Sequence, residues 1–327
     1  MTQDNLSLAE TLAAAAAEPA VIDNVLVGSA GWTDRTLIES SLFYPKGAKT
    51  PQARLAHYAK AFSLVEVDAS YYTLLPPETV ARWVSWTPER FRFDVKAHPV
   101  LTGHPIDVSR LPSDLKGELV NLGFERRVYA DRLPQALREE MERRFFASVE
   151  PLVLAQRLGA VLLQFPPWFV ATRRNAARIE ELAELWSKVP FSVEFRHSSW
   201  LLPERRERVF DLLKRRRLSY VCVDEPQAGP VSVPPATAVT NPELALVRFH
   251  GKNLKGWTRR GATVQERFDY VYSPDELREW VAPIRLLAQG ARAVHAIFNN
   301  CVRNYAVVNA KGLSVLLSQD AGLTHAF

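Results

Sequence analysis

The sequence predicts an α/β protein, a TIM (β/α)8 barrel in a single domain, and three observations predict it. Eight short apolar segments recur along the chain, each of strand length, and stretches with helical spacing or loop composition separate them. Eight such units within 327 residues match the usual size of a closed barrel. The alternative is an open, doubly wound sheet, but no GxGxxG and no P-loop glycine-lysine motif follows a strand here.

In order, the first strand starts at residues 25–28 and runs into the small-residue turn Ser29-Ala30-Gly31 with Trp32 at its tip. Residues 51–62 space Leu55, Tyr58, Ala59 and Phe62 as one helix face. Strand two is residues 64–68 (LVEVD), and a helix begins near Pro77, whose ring suits a first turn. Strand three, residues 91–96 (FRFDVK), alternates Arg92, Asp94 and Lys96 with Phe93 and Val95. Residues 97–132 then form a connection long enough to be a lid over a site.

A long amphipathic helix covers residues 134–158, strand four residues 160–165, and a further helix residues 173–188. Strand five opens residues 191–200 (FSVEFRHSSW), where Glu194 and Arg196 share the face opposite Val193 and Phe195. A helix over residues 203–217 leads to strand six, residues 219–225. Residues 226–242 hold five prolines and no helical period, so a loop replaces one outer helix there. Strand seven is residues 245–250, a helix spans 274–288, strand eight is residues 293–299, and a helix covers 305–317. Residues 1–24 read as an Ala-rich tail, loose or helical, before a domain over residues 25–327.

The formal charge of +5 is mild for this length, and basic runs such as residues 204–217 read as a solvated helix face rather than a nucleic-acid stripe. The two cysteines, Cys222 and Cys301, make no CxxC and read as inert core thiols, which fits a reducing cytoplasm. No apolar run reaches the roughly 20 residues of a membrane helix, and Asp4 and Glu10 stand where a signal peptide carries basic residues. The expected location is therefore cytoplasmic.

Nine motifs carry a resemblance. They are GSAGW (28–32), FYP (43–45), VEVDASYY (65–72), FRFDVKAHP (91–99), LLQFPPWF (162–169), VEFRHSSW (193–200), VDEP (223–226), RFHGKN (248–253), and FNN (298–300) with Asn309-Ala310. In this order, over residues 25 to about 317, the chain resembles the domain-of-unknown-function 72 family, also called YecE-like. The resemblance implies a TIM barrel and no established activity. Gly103 separates Thr102 from His104 where the family commonly pairs Thr with His, and Ser70-Tyr71-Tyr72 departs from its usual Phe-Tyr.

A barrel keeps its site where the C-terminal strand ends meet. Closure there collects Trp32, Glu66, Asp68, Tyr72, Lys96, Gln164, Glu194, Arg196, His197, Asp224, Arg248, His250, Lys252, Asn253 and Asn299. Four chemistries compete. In the first, Glu194 or Asp224 is a base and His250 or Lys96 an acid, while Arg196, Arg248 and Lys252 hold a phosphate or carboxylate. Trp32, Asp68, Tyr72, Gln164, His197, Asn253 and Asn299 complete that substrate site. Glu66 is read as lying one layer deeper, paired with Arg196 or Arg248, because a buried charge needs a partner. In the second, Glu66, Glu194, Asp224, His197 and His250 hold a divalent metal, a cofactor not favoured because no HxH or HExxH occurs and several Arg and Lys share the strand ends. The third is a two-carboxylate glycosidase with Trp32, Tyr72, Trp168 and Trp200 on sugar rings. The fourth is a nucleic-acid-binding or repair module using Trp168, Trp257 and Tyr72. An enzyme acting on a polar, phosphorylated small molecule is the leading expectation. The sequence leaves cofactor and oligomeric state open.

Overall fold

A computed structural model describes residues 2–324, and the side chains of residues 3–319. Eight parallel strands close on themselves: β1 (Val25–Ala30), β2 (Leu64–Val67), β3 (Arg92–Lys96), β4 (Leu158–Gln164), β5 (Phe191–Glu194), β6 (Ser219–Asp224), β7 (Ala245–Phe249) and β8 (Val294–Phe298). Each pairs with its sequence neighbour, and β8 returns to β1, so the predicted barrel is present. The helical spacing of the intervening segments becomes an outer ring that includes Pro51–Ala61, Pro77–Ser85, Arg173–Leu185, Pro203–Arg215 and Val281–Gly290. Thr50 and Thr172 cap the first and third of these by accepting from the amides of Ala53 and Asn175. After β6, residues 226–242 hold only the short turn Gly229–Val231, as the prolines predict.

Some boundaries move. The helix expected over 134–158 is Gln135–Leu154, and β4 begins two residues early, at Leu158, with a bulge opposite Phe93 and Asp94. The helix expected over 274–288 divides into Pro274–Arg278 and Val281–Gly290. Residues 97–132 are no free flap. Ile106, Val108, Leu115 and Leu119 bury into the main core, and Ile106–Asp107 pairs antiparallel with Arg127–Val128. The N-terminal helix Thr2–Ala13 lays Leu6, Ala9 and Ala13 against Val271, Tyr305 and Val308. No helix among the described residues is long and apolar enough to cross a membrane.

Pleating decides which side chains enter the lumen, because register partners on parallel strands share a face. Glu66 pairs with Asp94, Lys96 with Leu162, Gln164 with Glu194, and Arg248 with both Val223 and Ile297. The lumen is therefore charged where such barrels usually hold branched apolar side chains. Toward the N-terminal ends, the His295 imidazole meets the Asp94 carboxylate at 3.0 Å. That contact needs Gly159, since a Cβ there would lie 2.2 Å from Asp94 Oδ1 and 2.6 Å from His295 Cε1. Gly28 likewise lets β1 and β2 close together, as its Cβ would meet the Leu64 carbonyl at 2.2 Å.

Candidate active site at the C-terminal mouth

Arg248 is the centre of the lumen and is fully buried. Its fork donates to both oxygens of Glu66, with Nε to Oε2 at 2.8 Å and Nη2 to Oε1 at 2.5 Å. Its Nη1 donates to Glu194 and, at 3.2 Å, to Gln164 Oε1. The pairing of Glu66 with Arg248 is one of the two the sequence anticipates. Burial opposes the Arg248 charge, yet Glu194 and Glu66 raise its pKa. Burial also pushes Glu194 up, but Arg248, His250 and Arg196 together hold it well below the usual carboxylate range. Burial raises Glu66 to about 7, against the pull of Arg248.

Around this hub, Arg196 Nη1 donates to Glu194 Oε1 at 3.1 Å, and its guanidinium lies 4.6 Å from the Trp257 ring centroid. His250 lies at 3.2 Å from Glu194 Oε1 through Nε2, and Asn299 Nδ2 donates to its Nδ1 at 3.1 Å. That pattern suits the neutral ring protonated on Nε2. Burial agrees with it, pushing His250 down to about 4 against Glu194. Glu225 follows Val223 on the lumen face, accepts from the Val233 amide at 2.8 Å and faces Arg196 Nε at 3.4 Å. Burial raises its carboxyl to about 7.

Above the hub the mouth opens. Lys96 ends β3, with its ammonium 3.4 Å from Asp68 Oδ1 and 4.9 Å from the Tyr71 ring centroid. Ser70 Oγ, donating between the carbonyls of Val67 and Lys96, fixes these two strand ends together. Lys96 and Arg196 retain 15% and 12% of their side-chain exposure, whereas Arg248 retains none, so solvent reaches only the first two of these three. His104 lies close enough to both for them to add to the burial that lowers it to about 4.

Beside Asp68 lies a cleft of about 550 Å³, within the range of small-molecule sites. Trp32, Tyr72, Trp83 and Phe268 wall it, and Asp34, Asp68, Asn299 and Cys301 supply polar atoms. Gly31, at φ +81°, turns the chain out of β1 and presents Trp32, whose carbonyl accepts from Tyr44. Among the described residues, the buried Trp32 Nε1 of the cleft wall has no hydrogen-bond partner, and Asp68 Oδ1 has none beyond its ion pair with Lys96.

Several expected residues stand elsewhere. Asp224 pairs in register with Phe249, the neighbour of inward Arg248, so it faces the helical layer and accepts from Trp280 Nε1 at 2.9 Å. Lys252 is on that side too, 3.5 Å from Glu276 and 3.9 Å from Glu279. Asn253 caps Leu254–Thr258 by accepting from the Gly256 amide, and His197 caps Ser198–Trp200 through Nδ1. Trp200 stacks with Phe169 and Phe195 in the core instead of offering a sugar platform. The donors proposed for a metal are thus dispersed or spent on arginines, and among the described residues no three His, Cys, Asp or Glu converge on one point. Cys222 is the inert core thiol expected, its pKa raised to about 12 by burial. Cys301 instead reaches the cleft wall, its thiol donating to the Ala30 carbonyl at 3.0 Å.

Sequence reasoning missed Glu225, Asp34, Phe268 and Trp83. For Glu225 the signal was present, because strict alternation from Ser219 puts Val221, Val223 and Glu225 on one face and Asp224 on the other.

A family model described as "Protein of unknown function DUF72" matches residues 26–326. The chain belongs to the DUF72 family. The UPF0759 protein YunF of Bacillus subtilis is 33% identical over 296 residues, covering 90% of this chain and 94% of that protein. Two solved DUF72 structures share the architecture. One, from Enterococcus faecalis, superposes with a TM-score of 0.73 at 30% identity, covering 90% of this chain and 95% of that one. The other, from Thermotoga maritima, gives 0.69 at 28% identity over 90% and 99%. Within this DUF72 chain, much of the motif set frames the barrel. Asn300 and Asn309 are bonded to each other and bind the carbonyls of Tyr270 and Tyr272, while the Gly251 amide donates to the Tyr272 hydroxyl.

Proposed function

We propose that this protein is an enzyme performing acid–base chemistry on a polar, anionic small molecule at the C-terminal mouth of the barrel. One observation carries the reading: a cleft of about 550 Å³ beside solvent-reached cations, walled by Trp32, whose buried Nε1 has no hydrogen-bond partner among the described residues, and by Asp68, whose Oδ1 has no hydrogen bond there and faces only the Lys96 ammonium at 3.4 Å. An unmet buried donor such as Trp32 Nε1 costs free energy, and a ligand that pairs with it recovers that cost.

Asp68 is the proton acceptor, since a carboxylate lining the cleft can reach a substrate proton. Lys96 and Arg196 hold the anionic group, a phosphate or carboxylate, through charge-assisted bonds. Asn299 lines the same cleft and keeps its side-chain oxygen for a substrate donor, its nitrogen being committed to His250. Trp32, Tyr72 and Phe268 enclose the apolar body of the substrate. Arg248, Glu66 and Glu194 lie below the floor and do not touch it; Glu194 holds Arg196 and His250 from beneath.

The test is turnover. Purified protein is incubated with pools of phosphorylated and carboxylated metabolites, and consumption is followed by mass spectrometry beside the Asp68→Asn protein. Loss of one pool member, abolished in Asp68→Asn but retained in Asp224→Asn, is the expected result. Equal consumption by wild type and Asp68→Asn overturns the assignment.

A further inference from the structure

A second concavity, of about 770 Å³, lies outside the barrel between residues 97–138 and the loop and helix that follow β4. Its lining carries four arginines from three elements: Arg132 from the turn Ala130–Arg132, Arg138 from the first turns of Gln135–Leu154, and Arg174 with Arg178 one helical turn apart on Arg173–Leu185. Arg178 is committed, lying 3.2 Å from Glu142 and 3.6 Å from Glu181. The guanidinium groups of Arg132, Arg138 and Arg174 make no hydrogen bond or ion pair among the described residues, although Arg138 acts on Glu142 through space. The acids of the lining are Asp131 and Glu181, so the wall is net positive. Cations gathered from three elements without partners repel one another, and an anion in the groove relieves this.

Two large aromatics stand in the same wall. Trp168 is 55% exposed and Tyr129 46% exposed, against the general burial of large apolar side chains in this chain. Guanidinium groups beside open aromatic faces are the chemistry that takes phosphates and unstacked bases together. A phosphate alone uses the arginines and leaves both rings without a role.

We propose that this groove binds single-stranded nucleic acid, with phosphates on Arg132, Arg138 and Arg174 and bases stacked on Trp168 and Tyr129. The site is distinct from the cleft beside Asp68, and it nears the mouth at His104, whose ring lies 5.9 Å from Trp168 and whose Nδ1 is 2.9 Å from Thr102 Oγ1.

The experiment is fluorescence anisotropy with short labelled oligothymidylate and oligouridylate, from about 50 to 200 mM salt. Wild type binds, and affinity falls with salt. Replacing Arg132 and Arg174 together by Ala weakens binding about ten-fold and lowers the log–log salt slope by about 1.4, two released counterions at about 0.7 each. Trp168→Ala weakens binding roughly five-fold or more at unchanged slope, the loss of one stacked base. All three sites are on the surface, and each variant should melt with wild type. No binding at 50 mM salt overturns the proposal, as does binding that the arginine pair does not affect. Binding that depends on the arginines but is indifferent to Trp168→Ala and Tyr129→Ala also overturns it, since that is capture of any polyanion.

Discussion

Replacing Arg248 by Met tests whether the buried hub is a strut. The substitution removes two bonds to Glu66, one to Glu194 and one to Gln164, and leaves two carboxylates in the lumen. Glu194 retains Arg196 and His250, but Glu66 loses the only side chain bonded to it among the described residues. Breaking a buried ion pair from one side costs about 3–5 kcal/mol, and Glu66 supplies most of it. The sign with pH follows. Without Arg248 the folded-state pKa of Glu66 rises further above its unfolded value, so the folded protein takes up a proton that the unfolded chain gives up. Stability of the variant then falls as pH rises through that folded pKa, and its deficit against wild type is larger at pH 8 than at pH 5. Urea unfolding followed by circular dichroism at both values measures the deficit. Adding Glu66→Gln should recover a coupling of roughly 1–3 kcal/mol. A loss below about 1 kcal/mol, or one equal at the two pH values, refutes the strut.

Other outcomes follow from the same contacts. Burial raises Glu225 to about 7 from its ordinary 4.5, so it favours the fold fully below pH 4.5 and ceases to do so as pH rises through 7. Glu225→Gln should therefore gain on wild type by on the order of 2–3 kcal/mol between pH 5 and 8, read from denaturation midpoints. Gly159→Ala drives a methyl into the Asp94–His295 pair and should cost about 3 kcal/mol by the same assay. Asp224→Asn still accepts from Trp280 and lies outside the lumen, so both turnover and stability should stay within about 1 kcal/mol of wild type.

The barrel was legible because it follows from periodicity. Alternation in FRFDVK and the helical spacing of Leu55, Tyr58 and Phe62 survive any detail of packing. The site was legible only in part. Placing Lys96, Glu194 and Arg196 on one lumen face needs nothing but period two, and the structure keeps them together. Asp224 was misplaced by one residue, and a one-residue step on a strand exchanges lumen for helical layer. Arg248 has the sequence signature of an anion ligand; the sequence anticipates Glu66 as one possible partner, and the register of β2, β5 and β7 shows that Glu66 and Glu194 both occupy it. Asn253 and His197 read as ligands because a cap and a ligand draw on the same side chains, and the local turn decides between them. The arginine groove gathers Arg132, Arg138 and Arg174 from three elements, and no spacing in the sequence announces that meeting.

The most direct test of the central claim is ligand binding by thermal shift, with phosphorylated and carboxylated small molecules against wild type, Lys96→Met and Asp224→Asn. A ligand that binds only the folded state raises the melting temperature by mass action. The mouth assignment predicts a rise in wild type and Asp224→Asn that disappears in Lys96→Met. A rise that persists in Lys96→Met and disappears in Asp224→Asn contradicts it.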